Sequence, residues 1–194
     1  ALNIGAPVLL GAPGTFTWNS GWGNTIRFWQ PISDGGHGHG LTLSNPGNTP
    51  AVRYAFHGNN TYGGTTVVNC LTLTLAGPNG ALTNSPVVLA LRSQSGGTLS
   101  LDNAAAPNND RLGDDKVIVV ACFGGDLQHC GESVATTEQV GRVRLDSGLF
   151  QLTSRLASGG TATKQMLRVN GVDRAPGTSL LLWLENQGHG SVGV

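Results

Sequence analysis

Short stretches in which apolar and polar residues alternate recur along almost the whole chain. Turn-forming sequences such as NPGN, GPNG and PNND separate these stretches, and helical periodicity is nearly absent. The candidate strands are TFTWNS, NTIRFWQ, LTLS, AVRYAFH, TTVVNCLTLTLAG, SPVVLALRS, GTLSLD, DKVIVVACF, GRVRLDSGLFQLTSRL, KQMLRVNGV and SLLLWLEN. The pattern therefore predicts an all-β protein built from short, closely spaced strands.

The alternation is cleanest in CLTLTLAG and GTLSLD, where Leu alternates with Thr or Ser. One buried face and one solvated face are typical of antiparallel sheets. We therefore expect an antiparallel β-sandwich or jelly-roll-like single domain with long loops and little helix. One short helix is expected at 134–143, and Asn170-Gly171 predicts a type I′ hairpin turn.

A chain of 194 residues is long enough for one large domain, and it shows no internal repeat of fixed period. The polar, Pro- and Asn-rich segment 102–115 is interpreted as a long exposed loop inside a single domain that spans 1–194. No signal peptide is apparent at the start of the sequence. No apolar run approaches the roughly 18 residues of a membrane span, so membrane insertion is not expected.

The composition restricts the classes of function. Charged residues make up 11% of the chain and the formal net charge is zero. Lys116 and Lys164 are the only lysines and the arginines are scattered, which argues against nucleic-acid binding through a basic face. A neutral, lysine-poor sequence rich in Gly, Asn, Ser and Thr favours an extracellular or assembly-forming protein.

Two histidines, His37 and His39, lie two residues apart in the glycine-rich stretch SDGGHGHG. In an extended chain they point to the same side, so both could bind one transition-metal ion, with an oxygen from Asp34. The pattern is similar to the HxH motifs of trimeric phage fibre and spike tips. That resemblance implies an axial metal shared by three chains. The alternative is a surface loop whose histidines contact water.

Three of the four tryptophans fall in the stretch TWNSGWGNTIRFWQ. Exposed indole rings stack on sugar rings, and neighbouring polar side chains can bind hydroxyl groups. The glycan-binding candidates are Trp18, Trp22, Arg27, Trp29 and Gln30. The alternative is that these aromatic residues pack in the core.

The three cysteines are Cys70, Cys122 and Cys130. A disulfide between Cys122 and Cys130 is possible if the intervening FGGDLQH forms a hairpin that brings their Cα atoms within about 7 Å. The alternative is three reduced thiols, so the sequence does not decide the redox compartment.

Catalytic motifs are missing: there is no GxSxG elbow, HExxH, Walker A loop or dinucleotide fingerprint. We therefore expect no enzymatic activity and no required cofactor. The favoured class is a viral or phage structural protein, such as a fibre head, spike, capsid or decoration domain, with the general character of adenovirus-type fibre heads.

Such a protein would be a homo-oligomer, preferably a trimer, that binds a cell-surface glycan or protein receptor. Its location would be the virion surface or the extracellular space. The alternatives are a secreted carbohydrate-binding module or lectin, and an extracellular β-sandwich enzyme acting on polysaccharide.

Overall fold

The computed structural model describes residues 1–18, 23–46, 52–90, 97–122, 124–156 and 164–185. Within these ranges the chain is all-β and every strand pairing is parallel, so the strands stack as a β-solenoid. The predicted all-β class is confirmed, but the predicted antiparallel sandwich or jelly roll is wrong.

The strands are short at the start of the chain and longer toward its end. In chain order they are β1 (Leu2–Ile4), β2 (Val8–Leu9), β3 (Gly14–Thr17), β4 (Thr25–Phe28), β5 (Ile32–Ser33), β6 (Leu41–Ser44), β7 (Arg53–Phe56), β8 (Thr66–Asn69), β9 (Thr72–Leu75), β10 (Val87–Ala90), β11 (Gly97–Asp102), β12 (Ile118–Val120), β13 (Gly124–Gly131), β14 (Thr136–Leu145), β15 (Leu149–Leu156), β16 (Gln165–Arg174) and β17 (Ser179–Glu185). The eight-stranded sheet has the order β1-β4-β7-β9-β11-β13-β15-β17. The seven-stranded sheet has the order β16-β14-β12-β10-β8-β6-β3, and β2 pairs with β5 on a third, shorter side.

The core lies between the two larger sheets and consists of stacked apolar columns. One column of the eight-stranded sheet contains Ile26, Tyr54, Leu73, Leu99 and Leu127. Each of these side chains is at most 3% exposed. Every coil thus places an equivalent side chain directly on the one before it, and burial of these columns supplies the main stabilisation.

The alternating pattern did not reveal the strand direction because a solenoid also has one buried and one solvated face per strand. The repeat was hidden because coil length varies. Arg53 pairs with Thr72 after 19 residues, whereas Leu149 pairs with Ser179 after 30 residues. The turn-rich segments therefore form corners between sheets instead of hairpins.

Two local predictions are also wrong. The stretch 134–143, expected as a helix, lies largely within β14. Asn170-Gly171, expected as a hairpin turn, lies inside β16, where the Asn170 side chain donates to the carbonyl of Asp114 at 2.8 Å. In both cases parallel pairing between long strands outweighs the local preference.

The third side of the solenoid ends at a buried carboxylate. Backbone bridges join Asn59 to Ala81 and Leu82 to Leu112 along this side. At the next coil the Glu138 carboxylate accepts hydrogen bonds from the backbone N–H groups of Arg111 and Leu112, at 2.8–3.1 Å. The Glu138 carboxylate therefore accepts the hydrogen bonds that a backbone carbonyl of a further coil would otherwise accept on this third side. In the described part of the chain, the coils after this point have only the two larger sheets as sides.

Candidate functional site: the outer face of the eight-stranded sheet

A flat row of outward side chains runs along the eight-stranded sheet. Parallel register places Arg27, Ala55, Thr74, Ser100, Gln128, Thr153 and Trp183 side by side, one from each strand from β4 to β17. Their neighbours in sequence, such as Phe28, point into the core. We call this the central row. Ala55, Ser100 and Thr153 of this row are buried, so Thr74 and Gln128 present its hydroxyl and amide groups, with a tryptophan at the far end.

Trp29 lies on the same outer face, two residues beyond Arg27. Its indole is 47% exposed and stacks on the imidazole of His57, with ring centroids 4.0 Å apart and an interplanar angle of 19°. Its ring N–H donates to the Asn3 side chain at 3.3 Å, and its backbone N–H donates to the Ile4 carbonyl at 3.0 Å. These contacts fix the orientation of an exposed aromatic ring.

On the side of Trp29 away from His57, the neighbouring strand is β1. Ile4 pairs with Phe28, so Gly5 is the residue that follows beside Trp29 on the neighbouring strand. A glycine has no side chain to cover the indole, and no described atom lies within 4 Å of the place a Cβ would occupy at Gly5. We call Trp29, His57 and Gly5 together the Trp29 platform.

The electrostatics beside the platform are cationic. Burial, followed by the charge of Arg27, lowers the pKa of His57. The charge of Asp102, which lies on β11 two strands further along the sheet, acts to raise the pKa of His57. Arg53 starts β7 and is exposed on the same outer face as Arg27.

Further along the face the side chains are polar and hydrogen-bonded to each other. The Asp126 carboxylate accepts from the Thr153 hydroxyl at 3.2 Å and from the Gln128 amide. Burial raises the pKa of Asp126. Trp183, on β17, is 50% exposed. Six strand spacings of about 4.8 Å separate β17 from β4, the strand that ends just before Trp29, so the two tryptophans lie about 29 Å apart along the strand-stacking direction.

The other glycan-binding candidates from the sequence are distributed differently. Trp18 is half-buried and packs against the core, as its alternative interpretation proposed. Gln30 is exposed next to Trp29. Trp22 lies outside the described residues. Of the candidates from the sequence, Arg27, Trp29 and Gln30 therefore lie close together. The sequence analysis did not identify His57, Gly5 or Trp183 as part of this surface.

His37 and His39 face each other on a loop, with ring centroids 5.6 Å apart. Asp34, the suggested oxygen ligand, is buried and engaged elsewhere. Its carboxylate accepts from the backbone N–H groups of Gly63, Gly36 and His39 at 2.9–3.1 Å, which lowers its pKa. Among the described residues no three metal-ligating side chains converge. The imidazole pair could hold an ion only with ligands from elsewhere, so metal binding stays a prediction.

The cysteines are free thiols, with Cys70 and Cys130 buried and Cys122 exposed. The segment between Cys122 and Cys130 is not a hairpin but includes most of strand β13. An extended strand puts Gly124 and Cys130 about 20 Å apart, far beyond the reach of a disulfide from the neighbouring Cys122.

A buried polar cluster, missed from the sequence, lies in the segment 102–115. The Arg111 guanidinium is fully buried and donates to the carbonyls of Gly80, Asp102 and Ala106 and to the Asn103 side chain, at 2.7–2.9 Å. Its donors are occupied by three backbone carbonyls and the Asn103 side chain, so this cluster holds a loop against the solenoid.

No helix in the described part of the chain is both long and apolar enough to cross a bilayer. Comparison of the chain with protein-family models, with curated proteins and with solved structures finds no match in any of the three. The classification as a viral fibre or capsid protein of sandwich or jelly-roll type is corrected: the solenoid fold removes its structural basis, and no finding supports it. What the chain does must therefore be argued from its own surface.

Proposed function

We propose that this chain is a non-enzymatic carbohydrate-binding protein whose binding surface is the outer face of the eight-stranded sheet. The observation that carries the proposal is the Trp29 platform. One face of an exposed indole stacks on His57, and Gly5, which follows the strand on the other side, has no side chain that could cover the second face. An aromatic ring held in one orientation offers stacking at little entropic cost.

A sugar ring suits this surface better than a purely apolar ligand does. Sugars combine a C–H face, which stacks on an indole, with hydroxyl groups that need polar partners. The central row offers such partners in Thr74 and Gln128, which lie two strands apart in the same register, whereas Ser100 between them is buried. Two strand spacings separate these groups by about 10 Å.

A polymer suits the surface better than a single sugar. Trp29 and Trp183 are exposed on the same face, about 29 Å apart along the strand-stacking direction. We therefore assign the ligand to polysaccharides or long oligosaccharides that lie along the sheet. An extracellular location and assembly into trimers accompany this proposal, supported by the neutral, lysine-poor composition; the solution mass by light scattering tests the trimer.

Two substitutions test the platform, with binding measured against a panel of soluble polysaccharides by titration calorimetry. Trp29→Ala removes the ring, and we expect at least tenfold weaker binding. Gly5→Leu keeps the ring but adds a side chain that could cover its second face, and we expect a similar loss. Gly11→Leu is the matched control, because no described atom lies within 4 Å of its Cβ position either.

Unchanged affinity in both Trp29→Ala and Gly5→Leu, with some polysaccharide bound, would place the binding surface elsewhere. Absence of binding to every polysaccharide on the panel would overturn the proposed function. Circular dichroism and thermal unfolding of each variant confirm that the fold is retained.

A further inference from the structure

The most distinctive charge feature of the outer face is a pair of arginines around Ala55. Arg27 lies directly beside Ala55 on the preceding strand, and Arg53 precedes Ala55 by two residues on its own strand. This arrangement puts the Cα atoms of Arg27 and Arg53 about 8 Å apart. Both side chains start on the outer face, so their guanidinium groups can converge over Ala55.

Ala55 makes a low floor between them. It is the only alanine in the central row, and it is 7% exposed, between longer side chains on either strand neighbour. The Trp29 platform borders the same depression, since His57 follows Ala55 by two residues. Trp29 likewise follows Arg27 by two residues, which corresponds to about 7 Å along the strand.

Within the described ranges, neither Arg27 nor Arg53 forms an ion pair. Among the described residues, ion pairs form between Lys116 and Asp115, Arg142 and Asp173, and Arg144 and Asp146, and none involves Arg27 or Arg53. The Asp102 carboxylate, whose charge acts to raise the pKa of His57, accepts a hydrogen bond from the backbone N–H of Ala104. In the part of the chain that the structure describes, the two guanidinium groups next to the Trp29 platform therefore have no carboxylate in an ion pair with them.

We propose that the ligand is an acidic glycan, whose carboxylate or sulfate group binds between Arg27 and Arg53 while its sugar ring stacks on Trp29. This inference rests on the proposed function and names its ligand class. Guanidinium groups bind both oxyanions through paired N–H donors, so either anion satisfies the site. Asp126 lies on β13, three strands and about 14 Å from the strand of Ala55, and its carboxylate is hydrogen-bonded to Gln128 and Thr153.

The test compares matched polymers in titration calorimetry at low salt. Polygalacturonate is compared with its methyl-esterified form, and chondroitin sulfate with unsulfated chondroitin and with fully desulfated, carboxyl-reduced chondroitin. Poly-L-glutamate serves as a polyanion without sugar rings. The variant Arg27→Gln/Arg53→Gln is compared with Arg142→Gln/Arg144→Gln, which removes the same charge from the seven-stranded sheet.

We expect at least one acidic glycan to bind tenfold or more tightly than its neutral counterpart. Arg27→Gln/Arg53→Gln should abolish that preference, whereas Arg142→Gln/Arg144→Gln should keep it. The polygalacturonate and chondroitin sulfate comparisons then distinguish a carboxylate from a sulfate as the preferred anion.

Three outcomes count against the inference, and they are distinguishable. Equal binding of acidic and neutral forms, lost in Trp29→Ala, overturns the acidic ligand but leaves the proposed function. Equal binding of poly-L-glutamate and the glycans, unaffected by Trp29→Ala, shows a general polyanion surface and overturns both. Absence of binding to any polymer also overturns both.

Discussion

Glu138 and His129 should make opposite contributions to the dependence of stability on pH. Both side chains are fully buried in the solenoid. Burial raises the pKa of Glu138 to about 7 from an ordinary 4.5, although its carboxylate accepts two backbone N–H groups. Burial, followed by the charge of Arg111, lowers the pKa of His129 to about 4 from 6.5.

The signs follow from which state binds protons more tightly. Folded Glu138 holds its proton more tightly than the unfolded chain does, so its contribution to stability increases as the pH falls from 7 to 4.5. Folded His129 resists protonation, so its contribution decreases as the pH falls from 6.5 to 4. One pKa unit corresponds to about 1.4 kcal/mol, so each effect amounts to about 3 kcal/mol and the two nearly cancel.

The substitutions Glu138→Gln and His129→Gln separate the two effects. Urea unfolding, followed by circular dichroism between pH 8 and pH 4.5, gives the free energy of unfolding for each protein. Subtracting each variant from the wild type removes the contributions of all other groups. The advantage of the wild type over Glu138→Gln should grow by about 3 kcal/mol on acidification, and its advantage over His129→Gln should shrink by a similar amount. Differences in the free energy of unfolding that do not change with pH, or that change in the opposite direction, would refute this account of Glu138 and His129.

Three further predictions concern the face and the corners. Trp183→Ala should weaken binding of long polysaccharides but not of short oligosaccharides, as measured by calorimetry with chains of graded length; equal effects on both would contradict a ligand spanning the sheet. Cys122 has a φ of 65°, so urea unfolding should show that Cys122→Gly preserves or raises stability by up to about 1 kcal/mol, whereas β-branched Cys122→Val lowers it. Gly64→Ala should lower stability by about 2 kcal/mol or more, because its Cβ would lie 2.4 Å from the backbone of Gly40, whereas Gly11→Ala should have little effect.

The sequence predicts the strands better than it predicts their arrangement. Leu73 and Leu75 alternate with Thr72 and Thr74, and this pattern correctly indicates one buried and one exposed face. The partner of each strand is not encoded in that pattern. It depends on whether the following turn reverses the chain or directs it into the next sheet, and Cys70, a left-handed corner residue with φ of 58°, gives no such signal in the sequence.

The candidate site was predictable only in part, for a related reason. The density of tryptophans draws attention to Trp29 and Arg27, which are two residues apart and share a face of any strand. His57, Arg53 and Gly5 come from other coils and reach Trp29 or Arg27 only through the parallel register. Trp18 looks equivalent to Trp29 in the sequence, yet it packs against the core.

Protection of the Trp29 ring by bound glycan tests the central claim most directly. Acrylamide quenching of tryptophan fluorescence would be measured with and without a saturating amount of the tightest-binding polysaccharide, in the wild type and in Trp29→Phe. The account predicts that the glycan reduces quenching in the wild type and that the protected fraction is smaller in Trp29→Phe, where the remaining protection belongs to Trp183. Quenching that is unchanged by the glycan, or a protected fraction that is as large in Trp29→Phe as in the wild type, would contradict it.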